Sequence, residues 1–426
     1  MFKRKSLLVG LVLVLLFSLT VPGEAFFGFG GDDEEQEGPV EIRFSGWTSS
    51  PTEGKLVEKL LEDFEEDHPN IKVKYEPIQG SYMDKLQTQL ASGTAPDVFY
   101  LDSVWLPAMA SKGVLKPLDD YMAEDNVQKD EFISGLINGF EYDGTQYGIP
   151  KDYSTLGLFY NKRMFEEAGI EEPPQTWEEL YQVAKKLTRD TDGDGEIDEW
   201  GMTLNTDLAR FIAFLHQNDG QVLNEQGNKT VIDNQAGVEA LKFYNKLYQE
   251  GYAVRPGEVG AQWLGDALGK DKVGMVVTGN WTIPFMNDQY PEVDFGVAQL
   301  PKKEVKSTMA FTVAYCIDKN SEHPEAAWEL VKYLTSEEGQ RRWASLGLAM
   351  PSRKELADMV YFDQHPRRQT LMNSGEFAKA WQFNEHGQQI IDRMNTALQA
   401  VLIDNQKPEQ VLSETAEEIN QEVLTE

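Results

Sequence analysis

The chain has 426 residues, 41% hydrophobic and 11% aromatic, with a formal net charge of −32. That length exceeds one typical core, so two domains are expected. The acidity argues against nucleic acid and anionic membranes as partners, and the single cysteine, Cys316, excludes an internal disulfide. At the N-terminus Lys3, Arg4 and Lys5 precede an apolar run over 7–21, with small residues around Ala25. This reads as an export signal over 1–25, with an uncleaved anchor as the alternative. Residues 26–39 read as a flexible linker, Gly-rich and then acidic. A first strand is expected over 41–44, a helix over 56–64, an alternating strand over 71–75, a helix over 82–91 and a buried strand over 98–101. This βαβαβ rhythm predicts a mainly parallel sheet with helices on both faces. Residues 156–160 have strand length, and 162–168 read as a short helix stopped by Gly169. Thr176 and Glu179 have capping-box spacing ahead of the next helix. Later strands are expected over 273–278 and 295–298, and later helices over 235–250, 324–335 and 387–402.

Tyr160-Asn161-Lys162, the short helix, Pro173-Pro174 and Thr176-Trp177-Glu178-Glu179-Leu180 follow one another in an uncommon order. Phe64-Glu65-Glu66-Asp67-His68-Pro69-Asn70, Gly93-Thr94-Ala95-Pro96-Asp97-Val98-Phe99, Gly279-Asn280-Trp281 and Ala326-Ala327-Trp328-Glu329-Leu330 add further motifs in register. Together they resemble the extracellular solute-binding proteins of bacterial ABC importers, in the maltodextrin-binding-like sugar family. The resemblance covers about residues 40–426. It departs at Met309-Ala310-Phe311, where the family often has paired glycines, and in lacking a lipid-anchor cysteine. It implies a periplasmic-binding-protein-like α/β fold, in which two lobes with mixed sheets are joined by a three-crossing hinge around a ligand cleft. Carried onto this chain, the first lobe holds 40–150 and 301–347, and the second holds 151–300 and 348–426. The crossings fall near 151–155, 299–301 and 346–351.

Ligands of open α/β sheets sit beyond the carboxyl ends of the strands. That rule selects Trp47, Thr48 and Ser49 after the first strand, and Asp102 and Trp105 after the third. Carboxylates accept sugar hydroxyls, and indoles stack on pyranose faces. Asp102 could equally be an N-cap, and Trp105 a core aromatic. The resemblance adds Asn280 and Trp281 in the Gly-x-Trp loop and Asp152 and Tyr153 at the first crossing. It also adds Arg210, beside Phe214, and Phe311, with Trp381 as a weaker candidate.

Asp190, Asp192, Asp194, Glu196 and Asp198 follow an EF-hand-like pattern with Gly195 at its turn, so Ca²⁺ is the expected metal. The twelfth position is Gly201 where a bidentate Glu is usual, and Glu199 or a residue from elsewhere could replace it. The five histidines are scattered, and neither an HExxH motif nor a P-loop is present. No catalytic role is expected, although counting carboxylates leaves a glycosidase pair open. The expected protein is an exported, periplasmic or extracellular monomer. It would bind a sugar or oligosaccharide and deliver it to ABC permease subunits. The alternatives are a polyamine or glycerol-derivative binder, or a secreted polysaccharide-acting enzyme.

Overall fold

A computed structural model describes residues 38–48, 51–345, 349–356 and 364–424. The export signal, the linker up to residue 37, Ser49 and residues 346–348 of the third crossing lie outside the described residues. Among the described residues, no helix is long and apolar enough to cross a membrane.

The βαβαβ rhythm builds the first lobe. β1 (Val40–Ser45) pairs in parallel with β2 (Ile71–Tyr75) and β3 (Val98–Asp102). The intervening helices, Pro51–Asp67 and Tyr82–Ser92, bury one stripe each; Leu60, Leu61 and Phe64 face the core from the first. The second of these helices ends at Gly93, whose φ of 67° is the left-handed conformation that glycine adopts without strain. β4 (Glu141–Tyr142) and β5 (Thr145–Gln146) form a small hairpin. β6 (Gly148–Thr155) then joins the first sheet, and Leu156 alone separates it from β7 (Gly157–Asn161) in a second sheet. The chain thus changes sheet just past the expected first crossing.

The second sheet also contains β8 (Trp200–Thr203), β9 (Ala253–Val254), β10 (Val273–Thr278) and β11 (Phe295–Ala298), in the order β11-β7-β10-β8-β9. β7 runs antiparallel to β10 and β11, while β8, β9 and β10 are parallel. β12 (Thr308–Ile317) returns to the first sheet, antiparallel to both β3 and β6. Both sheets are therefore mixed, against the mainly parallel expectation, which the run β1 to β3 meets. β13 (Ala378–Ala380) pairs in parallel with β12, so the segment 348–426, expected in the second lobe, lends one strand to the first sheet. The helices Gly387–Leu402 and Pro408–Glu418 from the same segment pack with Leu208–Gln217 and Gln235–Gln249 in the second lobe's core.

Candidate functional site

The carboxyl ends of the first sheet meet the second lobe at a cleft of about 430 Å³. Trp47 follows β1 and packs edge-on against Tyr82 and Tyr100, with ring centroids 5.0 and 5.3 Å away. Gly46 before it permits that packing, because a Cβ there would overlap the Tyr100 ring. Asp102 ends β3, and its carboxylate caps the next turn by accepting from the Val104 N–H at 3.1 Å. β12 lies between β3 and β6 in register, so Val313 pairs with Asp102 on one side and with Asp152 on the other. Both carboxylates face the cleft, together with Glu53 from the first turn of Pro51–Asp67. The Asp102 carboxyl is pushed up to about 7, chiefly by burial and further by the Asp152 charge, against the Val104 N–H bond that lowers it.

From the second lobe, Arg210 sits in the first turn of Leu208–Gln217, which Asp207 caps. Its guanidinium lies 5.7 Å from the Trp281 ring centroid and 5.9 Å from that of Phe311. Its Nε is buried without a hydrogen-bond partner among the described residues. Trp281 follows β10, and Gly279 leaves room for its indole. Trp281, Phe311 and Trp381 then form an aromatic row with centroid spacings of 6.0 and 5.5 Å. The carboxylates thus come from the first lobe, with Phe311 on β12 and Trp381 just after β13 of the same sheet, while Trp281 and the Arg210 guanidinium come from the second. Such a surface can stack on apolar ring faces and hydrogen-bond hydroxyls.

Trp47, Asp102, Asp152, Arg210, Trp281 and Phe311 from the sequence-based set line this cleft. Tyr153 does not. Alternation along β6 turns it to the opposite face, where it is 8% exposed in a core with Phe159, Met350 and Leu371. Trp105 packs as a core aromatic against both main clusters and is absent from the lining. Thr48 also lies outside the lining, and Asn280 is fully buried behind it, with its backbone N–H donating to Ser154 Oγ at 2.8 Å. Phe214 is plain core beneath Tyr244. Sequence reasoning missed Glu53, Lys151, Ser154 and Trp343. Glu53 is one acid among many on its helix, and the position of Lys151 depends on a backbone irregularity with no sequence signature.

The Asp-rich loop lies elsewhere, between the helix Trp177–Leu187 and β8. Carboxylate oxygens of Asp190, Asp192 and Asp194 come within 4.8 Å of one another, as a hard divalent cation requires. Glu196 and Asp198 are outside this group. The Asp198 carboxylate instead accepts from Thr191 N and Oγ1 at 2.8 and 2.7 Å, and those bonds hold its carboxyl below the ordinary range. Glu199 is unsuited to replace the missing twelfth ligand, since Arg163 and Arg189 both take its carboxylate. Gly201 has a packing reason, because any Cβ there would overlap the Ala184 carbonyl.

A family model described as bacterial extracellular solute-binding protein matches residues 48–341. The galactooligosaccharide-binding protein of Bacillus subtilis is 25% identical over 377 residues, covering 85% of each chain. Among solved structures, an ABC substrate-binding protein from Listeria monocytogenes in complex with cycloalternan is similar at a TM-score of 0.83. Its identity is 27%, and the match covers 90% of this chain and 98% of that one. An ABC transporter solute-binding protein from Thermotoga lettingae bound with alpha-D-tagatose is similar at 0.81 and 26% identity, covering 90% and 99%.

Proposed function

The chain belongs to the bacterial extracellular solute-binding protein family, and on that premise we propose that it is the substrate-binding subunit of an ABC importer for a sugar or oligosaccharide. The observation that carries this reading is the cleft itself, lined by Trp281, Phe311 and Trp381 together with Asp102 and Asp152. The rings supply stacking faces, and Asp102, Asp152 and Arg210 supply acceptors and a donor for hydroxyls. Trp47 completes the first-lobe wall. The two lobes close on the ligand about their crossings, because the closed state adds contacts from the second lobe that the open state lacks. The closed form, exported and monomeric, then docks on membrane permease subunits. Its family and fold relatives are binding proteins, which supports a non-enzymatic role. Asp190, Asp192 and Asp194 would hold a structural Ca²⁺ remote from the cleft.

Thermal unfolding of residues 39–426 with Ca²⁺, across a panel of mono- and oligosaccharides, tests the reading. A native-state ligand raises stability by about 2.7 kcal/mol at 100 times its dissociation constant. The expected outcome is a selective rise with one sugar class and no hydrolysis. No rise with any sugar overturns the sugar assignment in favour of a polyamine or glycerol derivative, and the three cleft carboxylates make a polyamine the first to try. Turnover by the pure protein would make it an enzyme acting on polysaccharide.

A further inference from the structure

Lys151 owes its place in the cleft to a β-bulge. Along β12, Val313 pairs with Asp152 and Ala314 with Pro150, which leaves Lys151 as the extra residue. Neighbouring strand residues normally point to opposite faces, and a bulge re-aims one of them. Here Lys151 and Asp152 reach the same cavity. The Lys151 ammonium is ion-paired with Asp152 Oδ2, and the two side chains are 6% and 10% exposed. It also lies 4.1 Å from the Trp343 ring centroid and 4.8 Å from that of Tyr100. The Trp343 indole N–H donates to the same Oδ2 at 2.8 Å. Among the described residues no donor reaches Oδ1. A buried carboxylate held through one oxygen by two N–H donors is fixed in orientation, and removing one partner leaves charge uncompensated. The other charged groups lining the cavity are Glu53 from Pro51–Asp67, Asp102 from β3 and Arg210 from Leu208–Gln217.

We propose that Lys151 and Trp343 are positioning residues: by holding Oδ2 they fix the Asp152 carboxylate so that Oδ1 is left to accept a hydroxyl of the ligand. The assignment rests on the reading of this cleft as the ligand site.

Nuclear magnetic resonance of the purified protein carrying ¹⁵N-tryptophan tests the contact without any ligand. The Trp343 indole signal, identified by its loss in Trp343→Phe, should move in both Asp152→Asn and Lys151→Met, since each alters the group that accepts from the indole or its other partner. A signal that keeps its wild-type position in folded Asp152→Asn overturns the assignment. Calorimetric titration with maltotriose and a galactooligosaccharide adds the binding readout. Trp343→Phe should weaken a sugar that binds by about tenfold, and that loss should vanish in the Asp152→Asn background, because both changes act through one carboxylate. Equal losses in the two backgrounds would make Trp343 merely structural and overturn the assignment. If neither sugar binds, the sugar reading suffers and the resonance result still decides the assignment.

Discussion

Trp281 shows what a single residue carries in this cleft. It is partly buried, faces Phe311 edge-on and has the Arg210 guanidinium over its ring. Trp281→Ala should weaken sugar binding by more than about tenfold, since aromatic contacts and their buried area are lost together, with the melting temperature nearly kept. Calorimetric titration measures it, and wild-type affinity would remove Trp281 from the site. Two titrating residues oppose one another in stability. Asp102 has its carboxyl raised from 3.8 to about 7, so the folded state binds the extra proton and the contribution of Asp102 falls as pH rises through that window. His216, with Nδ1 bonded to the Gly220 carbonyl, is held down from 6.5 to about 4 by burial. Its contribution therefore rises with pH over that interval. Melting curves between about pH 4 and about pH 7 should show Asp102→Asn gaining on wild type as pH increases. A variant at His216, such as His216→Gln, should lose ground on wild type over the same range.

At the scale of elements, caps and close approaches explain why boundaries fall where they do. Thr176 Oγ1 accepts from the Glu179 N–H at 3.2 Å, as the capping-box spacing predicts. The Glu179 carboxylate reaches one residue further back than that motif requires, to the Gln175 N–H at 2.6 Å. Thr176→Ala should cost about 1 kcal/mol, read from denaturant unfolding. The helices over 324–335 and 387–402 and the strands over 273–278 and 295–298 were legible to the residue. Each is a strong periodic or apolar run bounded by turn residues. The β6 bulge and the pairing of β13 with β12 were not legible, because both depend on what lies alongside the strand.

At the scale of the whole molecule, the Asp-rich loop is tied to the rest of the second lobe by ion pairs. Arg163 and Arg189 tie the base of the loop, through Glu199, to Glu167 and Asp271. A cation in the loop would therefore stiffen the second lobe well beyond its own ligands. Calorimetry with and without Ca²⁺ should show a rise in melting temperature that Asp192→Ala with Asp194→Ala abolishes. An unchanged rise would move the metal elsewhere. Of the proposed calcium ligands, only the alternating aspartates at 190, 192 and 194 come together. Asp198 and Glu199 are drawn away by bonds formed only once the loop is folded.

The strands and helices expected from the sequence, and the loops beyond the first strand ends, are set locally by periodicity, caps and turn residues, and so could be read from the sequence itself. Which side chains of those loops face the cleft was decided by tertiary structure. Tyr153 and Asp152 are neighbours in the chain, yet strand alternation sends one into the core and the other into the cleft. Lys151, which the same alternation would turn away, is brought back by a bulge set against β12. Asp102 and Asp152 are 50 residues apart in numbering and meet only because β12 returns between their strands. Their electrostatic coupling, and the sharing of Asp152 between Lys151 and Trp343, belong to that long-range register and could not be encoded in any one segment.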